Sequence, residues 1–573
     1  MKKNLLIFFS LFGIIYFFTN GFLNTFFQQD EWNGFGLVTY LSHQPIWAWF
    51  NMLTGQHLVP LTSSSWLVLY KLFGFEAQYY ALTSLILHTS AAFLVYYLIK
   101  SLSKDTIVSL LTALFFITNS RASLAFIHLA VFSNTVPCLI LIILFFLYLG
   151  KIAQKKIYEK KDAIILTALF LSAVFFREDA LILIPLLPAY VFIYNRKAFI
   201  RQNIKFFSIF YVFAVTFFIF RFVMQLVNPI ALNVSSKSYL ETYLYNAITF
   251  PVKLVVQNLI EGYYTILMFI YQHNQWFYPV QLSTDVMNTL YLDLVFLVIF
   301  NVIIIVSFVF LHGIKDKAIW KNISFFIVWI LVDALLLASV GRRMNLIEGR
   351  YLYISSIAVL FLLSLMLIRL YKSKSSYLVL DIVKKALVLI VISGFLITSY
   401  SRIQTDIKTF EVQGQARKQI LSSIMKVHPT IPKNTIFYVR CKEICYRNSE
   451  FGISNSLVLP FSSGPGWIIM LYYSRQNEKA YAPFFTRYEG ETELWDWKVG
   501  RYVRVKNQDF LWDMGAQGYR KIGNYSFGYF VSEDYLRETI KNNNLNKNIV
   551  IGLEYDEKNF KITDISQEIR KDL

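Results

Sequence analysis

Apolar runs close to 20 residues long return again and again along roughly the first 400 positions, parted by short basic clusters. No other feature constrains the chain so strongly. A helix of that length matches the hydrocarbon thickness of a bilayer. The chain is 56% hydrophobic and 16% charged, with a mean hydropathy of +0.47. A soluble domain could not bury so much apolar surface, so the sequence reads as a polytopic membrane protein. Only backbones that satisfy their own hydrogen bonds cross lipid, and the spans are therefore expected to be helices.

About eleven spans are expected, near 5–22, 79–99, 106–119, 133–150, 163–176, 180–195, 206–227, 290–311, 323–340, 351–370 and 386–400. The run 250–271 is interrupted by Lys253, Gln257 and Glu261 and reads as an interfacial or re-entrant helix. The first span follows a basic start, and no small-residue cleavage site succeeds it, so it reads as a retained signal anchor.

The net charge of +19 does not signal nucleic acid, because it sits in loops between apolar runs. Lys2 and Lys3 point the N-terminus inward. Lys151, Lys155, Lys156, Lys160 and Lys161 form the next basic loop, and Arg196, Lys197, Arg201 and Lys205 another. Lys315, Lys317 and Lys321 follow, then Arg369, Lys372, Lys374, Lys384 and Lys385. Every second loop is basic, which predicts a cytoplasmic N-terminus and an extracytoplasmic C-terminus in the cell membrane.

The fold class is mainly α: a transmembrane domain over 1–400, then a soluble external α/β or α+β domain over 401–573. In the latter, NTIFYVR, RYVRVKN and NIVIGLEY read as strands and SEDYLRETIKN as a helix. Cys138 falls in the fourth span as a buried thiol. Cys441 and Cys445, as CKEIC, allow either a small-loop disulfide or free thiols, and a zinc site lacks two further ligands at suitable spacing.

On this topology the outward loops carry the chemistry-bearing residues. Asp30 and Glu31 follow the first span, and the rest of that loop is too aromatic for a solvated one. It is expected to form one or two amphipathic helices on the membrane surface, with His57 in the turn between them. Arg177, Glu178 and Asp179 stand between spans five and six. Arg342, Arg343, Glu348 and Arg350 stand between spans nine and ten, where positive charge is disfavoured. Each has a bland alternative: a polar turn, a snorkelling arginine, a packed histidine at His57 or His88. Two acidic pairs and an arginine group on one face are less easily dismissed. A carboxylate can deprotonate an acceptor hydroxyl. Arginines can hold a phosphate through a planar fork. The set fits group transfer from a lipid phosphate to a hydroxyl.

The order of these motifs resembles the GT-C superfamily of polytopic glycosyltransferases, of the protein-mannosyltransferase-like kind. Asp30–Glu31 stands where such proteins carry the first acidic pair. The stretch from Gln56 to Thr89 resembles an H-x-x-P-L … L-x-x-H pattern, through His57 and His88. REDA matches the second acidic motif. Glu348 to Leu363 resembles E-R-Y-L-Y-x-P-S, but Gly349 separates Glu348 from Arg350, and Ile354 stands where proline is usual. The resemblance covers about 1–400 and does not extend to the C-terminal domain. It implies a polyprenyl-phosphate-linked sugar donor and an inverting transfer. Asp30 would be the base beside Glu31, and Arg350, Arg342 and Arg343 would hold the phosphate. His57, Arg177, Glu348 and Tyr351 would contact substrate. Some relatives need a divalent metal, Mg or Mn, and others do not, so Glu178 and Asp179 leave that open. An envelope polymer or a protein is the expected acceptor, and no nucleic acid partner is expected. The alternatives are a transporter or flippase of lipid-linked precursors, for which Asp333 inside span nine would argue, and a non-catalytic assembly factor.

Overall fold

The computed structural model describes residues 2–28, 31–32, 34–35, 38, 59–153, 160–194, 208, 210–217, 219, 236–259, 297–303, 305, 316–339, 347–373, 377–432, 434–441, 472–473, 501–503, 511–513, 518–522, 525–530, 533–556 and 561–573. Asp30, His57, Arg342 and Arg343 lie outside these residues, as do most of the spans expected at 206–227 and 290–311.

The chain divides into two compact units. One comprises Met1–Asn20, Gln56–Thr62 and Leu82–Asp406, and the other Gly21–Gly55, Ser63–Ala81 and Ile407–Leu573. The helices in chain order are α1 (Lys2–Phe18), α2 (Pro60–Phe73), α3 (Ala77–Ser103), α4 (Thr106–Ile117), α5 (Leu124–Ile127), α6 (Leu129–Ile152), α7 (Lys160–Phe176) and α8 (Leu183–Ile193). They continue with α9 (Ser236–Leu259), α10 (Lys317–Ala338), α11 (Gly349–Lys372) and α12 (Leu378–Val427).

Among the described residues, α3, α6, α10 and α11 are long and apolar enough to cross a bilayer. A fifth candidate is α4 together with Ser120–Ile127, bent by 46°. The expected positions of these spans are recovered. The count of about eleven is not reached within the described residues, where α7 and α8 are short and α12 runs on unbroken for 50 residues. The bend after α4 has a local cause. The Asn119 side chain accepts from Arg121 N–H at 3.1 Å and starts a short 3-10 turn, so the α-helical ladder stops there.

In the first unit α6 packs on α7, α9 on α10, and α11 lies against α4, α9 and α10. Aromatic rings fill the seams. Trp329 and Phe325 of α10 meet Phe146 of α6, and Phe325 also meets Tyr190 of α8. Residues 250–259 of the ambiguous run are the end of α9, where Lys253 and Gln257 turn inward; Glu261 lies outside the described residues. Lys253 is 1% exposed and Gln257 3%. An interfacial helix would present them to water.

The second unit contains a five-stranded mixed sheet near the C-terminus, where strands are expected, in the order β4-β5-β1-β6-β7. Its strands are β1 (Asn434–Cys441), β4 (Gly518–Ile522), β5 (Tyr525–Phe530), β6 (Val550–Asp556) and β7 (Lys561–Asp564), while β2 (Arg501–Val503) and β3 (Leu511–Asp513) form a separate pair. β1 is central and parallel to β5 and β6, and the two edges are antiparallel. The parallel step from β5 to β6 is made through α13 (Glu533–Asn542). The final helix, α14 (Ser566–Asp572), packs on β6, where a Cβ on Gly552 would stand 2.9 Å from Ile569. Ile436, Tyr438, Phe530, Leu536, Val550 and Ile569 form the core. The helix α12 runs through the boundary expected near 400.

The aromatic first loop belongs to this unit except for Gln56–Thr62. Phe27, Trp32, Phe35, Trp66, Phe75 and Tyr80 form a continuous cluster centred on Phe35. The apolar character read from the sequence is thus used in packing. One helix, α2, is described of the one or two expected.

Candidate functional site

Helix α7 ends at Phe176, whose carbonyl accepts from the Thr62 hydroxyl at 2.7 Å. Arg177 is extended, and Glu178–Ile182 turn as a 3-10 helix before α8. This corner aims the Arg177 side chain back across the helix ends. Its Nε lies 2.6 Å from Asp179 Oδ2, it donates to the Thr135 hydroxyl of α6, and its guanidinium stands 5.2 Å from the Tyr351 ring centre. Burial works against the charge of Arg177. Asp179 and the Tyr351 hydroxyl outweigh it, so the group sits above its ordinary pKa. Cys138 is buried and points its thiol at the Arg177 carbonyl, 3.7 Å away.

Arg350 reaches the same ring from the other motif. Its guanidinium is 5.0 Å from the Tyr351 centre, and its Nη2 is 2.8 Å from Glu348 Oε2. Two arginines from distant segments therefore share one tyrosine, and each carries its own carboxylate. The Arg350 Nε is buried and makes no hydrogen bond within the described structure. The Nε edge of a guanidinium is one that pairs bidentately with an oxyanion.

Residues that no motif announced fix the Glu348–Arg350 segment. Gln257 of α9 holds the Ile347 backbone from both sides: its Oε1 accepts from Ile347 N–H at 3.1 Å, and its Nε2 donates to Ile347 O at 3.3 Å. Gly349, the departure from the usual motif, has a packing reason. A Cβ there would fall 2.3 Å from the Arg121 carbonyl oxygen. Asp333 of α10 is 2% exposed, within electrostatic reach of Asp179 and Arg177, and beside the Ser355 hydroxyl. Its Oδ2 has no hydrogen-bond partner among the described residues. An ionisable group buried within an apolar helix is a candidate for function rather than part of a solvated face. The signal for Gln257 was present, as polar residues four apart in an apolar helix, but it read as exposure.

The remaining expectations divide. His88 is structural: its Nε2 lies 3.1 Å from the Ile117 carbonyl and its Nδ1 2.8 Å from the Tyr353 hydroxyl. The carbonyl can only accept, so Nε2 carries the proton. Glu31 belongs to the other unit, with Gln28 and Arg417. It is fully buried and accepts from Gln28 N–H at 3.0 Å. The Gln28 amide donates to the Phe410 carbonyl at 2.9 Å and accepts from the buried Arg417. No group of three metal-capable side chains converges among the described residues. Cys445 lies outside them, so the CKEIC pair is not described.

The fold and this cluster define a multi-pass membrane protein with an arginine–carboxylate site at the ends of its helices. No protein-family model matches the sequence. No curated protein matches it either. Among solved structures the chain is similar to ArnT from Cupriavidus metallidurans bound to undecaprenyl phosphate, at 12% identity and a TM-score of 0.41, over 75% of this chain and 82% of that one. It is also similar to the archaeal oligosaccharyltransferase AglB from Archaeoglobus fulgidus, in complex with an inhibitory peptide and a dolichol-phosphate, at 13% identity and a TM-score of 0.36, over 84% of this chain and 68% of that one. At such scores the function must be read from the residues.

Proposed function

We propose that this chain is a membrane glycosyltransferase of the GT-C type. It moves a sugar from a polyprenyl-phosphate carrier to an acceptor hydroxyl at the external membrane face. The observation that carries the reading is Arg350. Its guanidinium is paired with Glu348 and stands over the Tyr351 ring, while its Nε makes no hydrogen bond among the described residues. A cation fixed in this way is preorganised for an oxyanion.

In the proposed step the Asp30 carboxylate takes the proton of the acceptor hydroxyl. The freed oxygen attacks the anomeric carbon from the face opposite the phosphate. The bond from that carbon to the phosphate oxygen breaks, and the lipid phosphate leaves with the electron pair. Arg350 receives the developing charge, with Arg342 and Arg343 as further cations. Arg177, paired with Asp179, stands by the Tyr351 ring that Arg350 also contacts. Glu178 and Asp179 are the carboxylates that would hold a divalent metal, Mg or Mn, in a metal-dependent transfer, and Asp179 would then exchange its pairing with Arg177 for the ion. The sugar donor comes from the membrane, and the acceptor is an envelope polymer or a protein.

Transfer from a defined polyprenyl-phosphate sugar, with donor binding measured separately, tests the roles. Asp30→Asn should bind donor normally and turn over about 10²–10⁴-fold more slowly. Arg350→Ala should lose donor affinity as well, and Arg350→Lys should not restore it, since a point charge cannot reproduce the fork. Wild-type turnover in Asp30→Asn together with normal donor binding in Arg350→Ala would remove both assignments. It would leave a transporter or an assembly factor.

A further inference from the structure

Beyond residue 407 the helix α12 has two faces. Gly414, Arg417, Leu421 and Ile424 are buried, and a Cβ on Gly414 would stand 2.7 Å from the Phe26 backbone nitrogen. The opposite face is polar. Lys418 and Lys426, with Ser422, Ser423, Gln415 and Gln419, join Lys561 of β7 in lining an open groove of about 500 Å³. The three lysines are exposed, and none forms an ion pair among the described residues. Among the described residues no carboxylate lines the groove, and no acidic residue occurs from Val412 to Val427. Asp556 is the register partner of Lys561 on β6 and stands outside the lining.

Three ammoniums with no ion pair among the described residues, on one polar groove, create a positive field that a neutral ligand would not exploit. Hydroxyls and amides between them can bond to sugar hydroxyls or phosphate oxygens. Lys418 and Lys426 are about 12 Å apart along the helix axis at 1.5 Å per residue. That spacing suits an extended anion with charge on more than one unit. Lysines are compact point charges on flexible stems, which tolerate a ligand without one fixed geometry.

We propose that this groove binds a phosphate-bearing polymer and presents it as the acceptor. The binding stands by itself, whereas its role as acceptor site rests on the transferase reading above. The test uses the full chain in detergent micelles and fluorescently labelled short-chain inorganic polyphosphate, read by anisotropy. Saturable binding is expected, weakening as salt is raised. In the K418Q/K426Q/K561Q variant affinity should fall on the order of tenfold or more, and the single reversal Lys418→Glu should also weaken it. These side chains are exposed, and an unchanged circular dichroism spectrum will show that the fold is kept. Binding unaffected by these substitutions, or equal competition by neutral dextran, would overturn the proposal. So would association with phosphatidylglycerol vesicles but not with polyphosphate, which would assign the groove to a lipid surface. Asp30→Asn should bind polyphosphate as the wild type does. Full turnover in Asp30→Asn would defeat the transferase reading and leave the groove result intact.

Discussion

Substitution of Gly349 by alanine separates a packing role from a chemical one. The new Cβ would stand 2.3 Å from the Arg121 carbonyl oxygen and 3.4 Å from the Leu124 Cβ. An ordinary carbon–oxygen approach is about 3.3 Å, so the start of α11 must retreat by about 1 Å. The obstacle is backbone, and no side chain can swing aside to relieve it. Such overpacking costs about 1–3 kcal/mol. Replacing a helical glycine returns about 0.5–1 kcal/mol. A net loss of about 1–2 kcal/mol is expected, read as a lower thermal midpoint of the solubilised protein. Activity should fall further than stability. A displacement near 1 Å at a positioned group can cost on the order of 10²-fold, and here it falls on the segment carrying Glu348 and Arg350. The paired control is Gly394→Ala in α12, where nothing lies within 4 Å of the added carbon. That variant should match the wild type in turnover and gain about 0.5–1 kcal/mol in stability. If Gly349→Ala matched it too, the close approach to Arg121 would not hold the site, and the account of the motif's extra glycine would be refuted.

Gln257→Leu leaves the Ile347 N–H and carbonyl without their side-chain partners and should destabilise by about 1–3 kcal/mol, with donor binding weakened in the transfer assay. Normal donor binding and an unchanged midpoint would show that the clamp is dispensable. Burial alone would raise the Asp564 carboxyl, but hydrogen bonds from Ser566 and the nearby His428 outweigh it and hold it below its ordinary value. A lowered folded value means the stabilisation is present above about pH 4 and is lost as pH falls through the native value, so Asp564→Asn should flatten the acid limb of a stability–pH curve. Sidedness is tested by Asn33→Cys and Asn345→Cys, which should react with an impermeant thiol reagent on intact cells, whereas Gln154→Cys should not. External labelling at position 154 alone would invert the topology.

Much of the fold was legible because its causes are local. Lipid forces the backbone of a span to bond within itself, so length and hydropathy alone located α3, α6, α10 and α11. Alternation located β1 and β6, and a helical pattern with acidic residues at its start located α13. The first loop reads as too apolar for solvent, and its described aromatic residues pack as a cluster. The inward turn of Lys253 and Gln257 was not legible, because a polar residue in an apolar run can face water or a buried partner, and only the neighbouring segments decide which.

The same division runs through the site. The sequence by itself determined which residues are chemically able: REDA and GRYLY set arginines and carboxylates beside helix ends, where such charge is disfavoured without a task. Only the tertiary structure decided which of them meet. Arg177 and Arg350 lie far apart in the chain and converge on Tyr351 because the end of α7 and the start of α11 meet there, and Thr135 of α6 completes the contact. It also decided that Gly349 must be glycine, since the obstacle is the carbonyl of Arg121, more than 200 residues earlier in the chain. The physical reason is range. Hydropathy and helix periodicity act over a few turns of chain, whereas a guanidinium, a ring face and a carbonyl find one another only after those turns have packed.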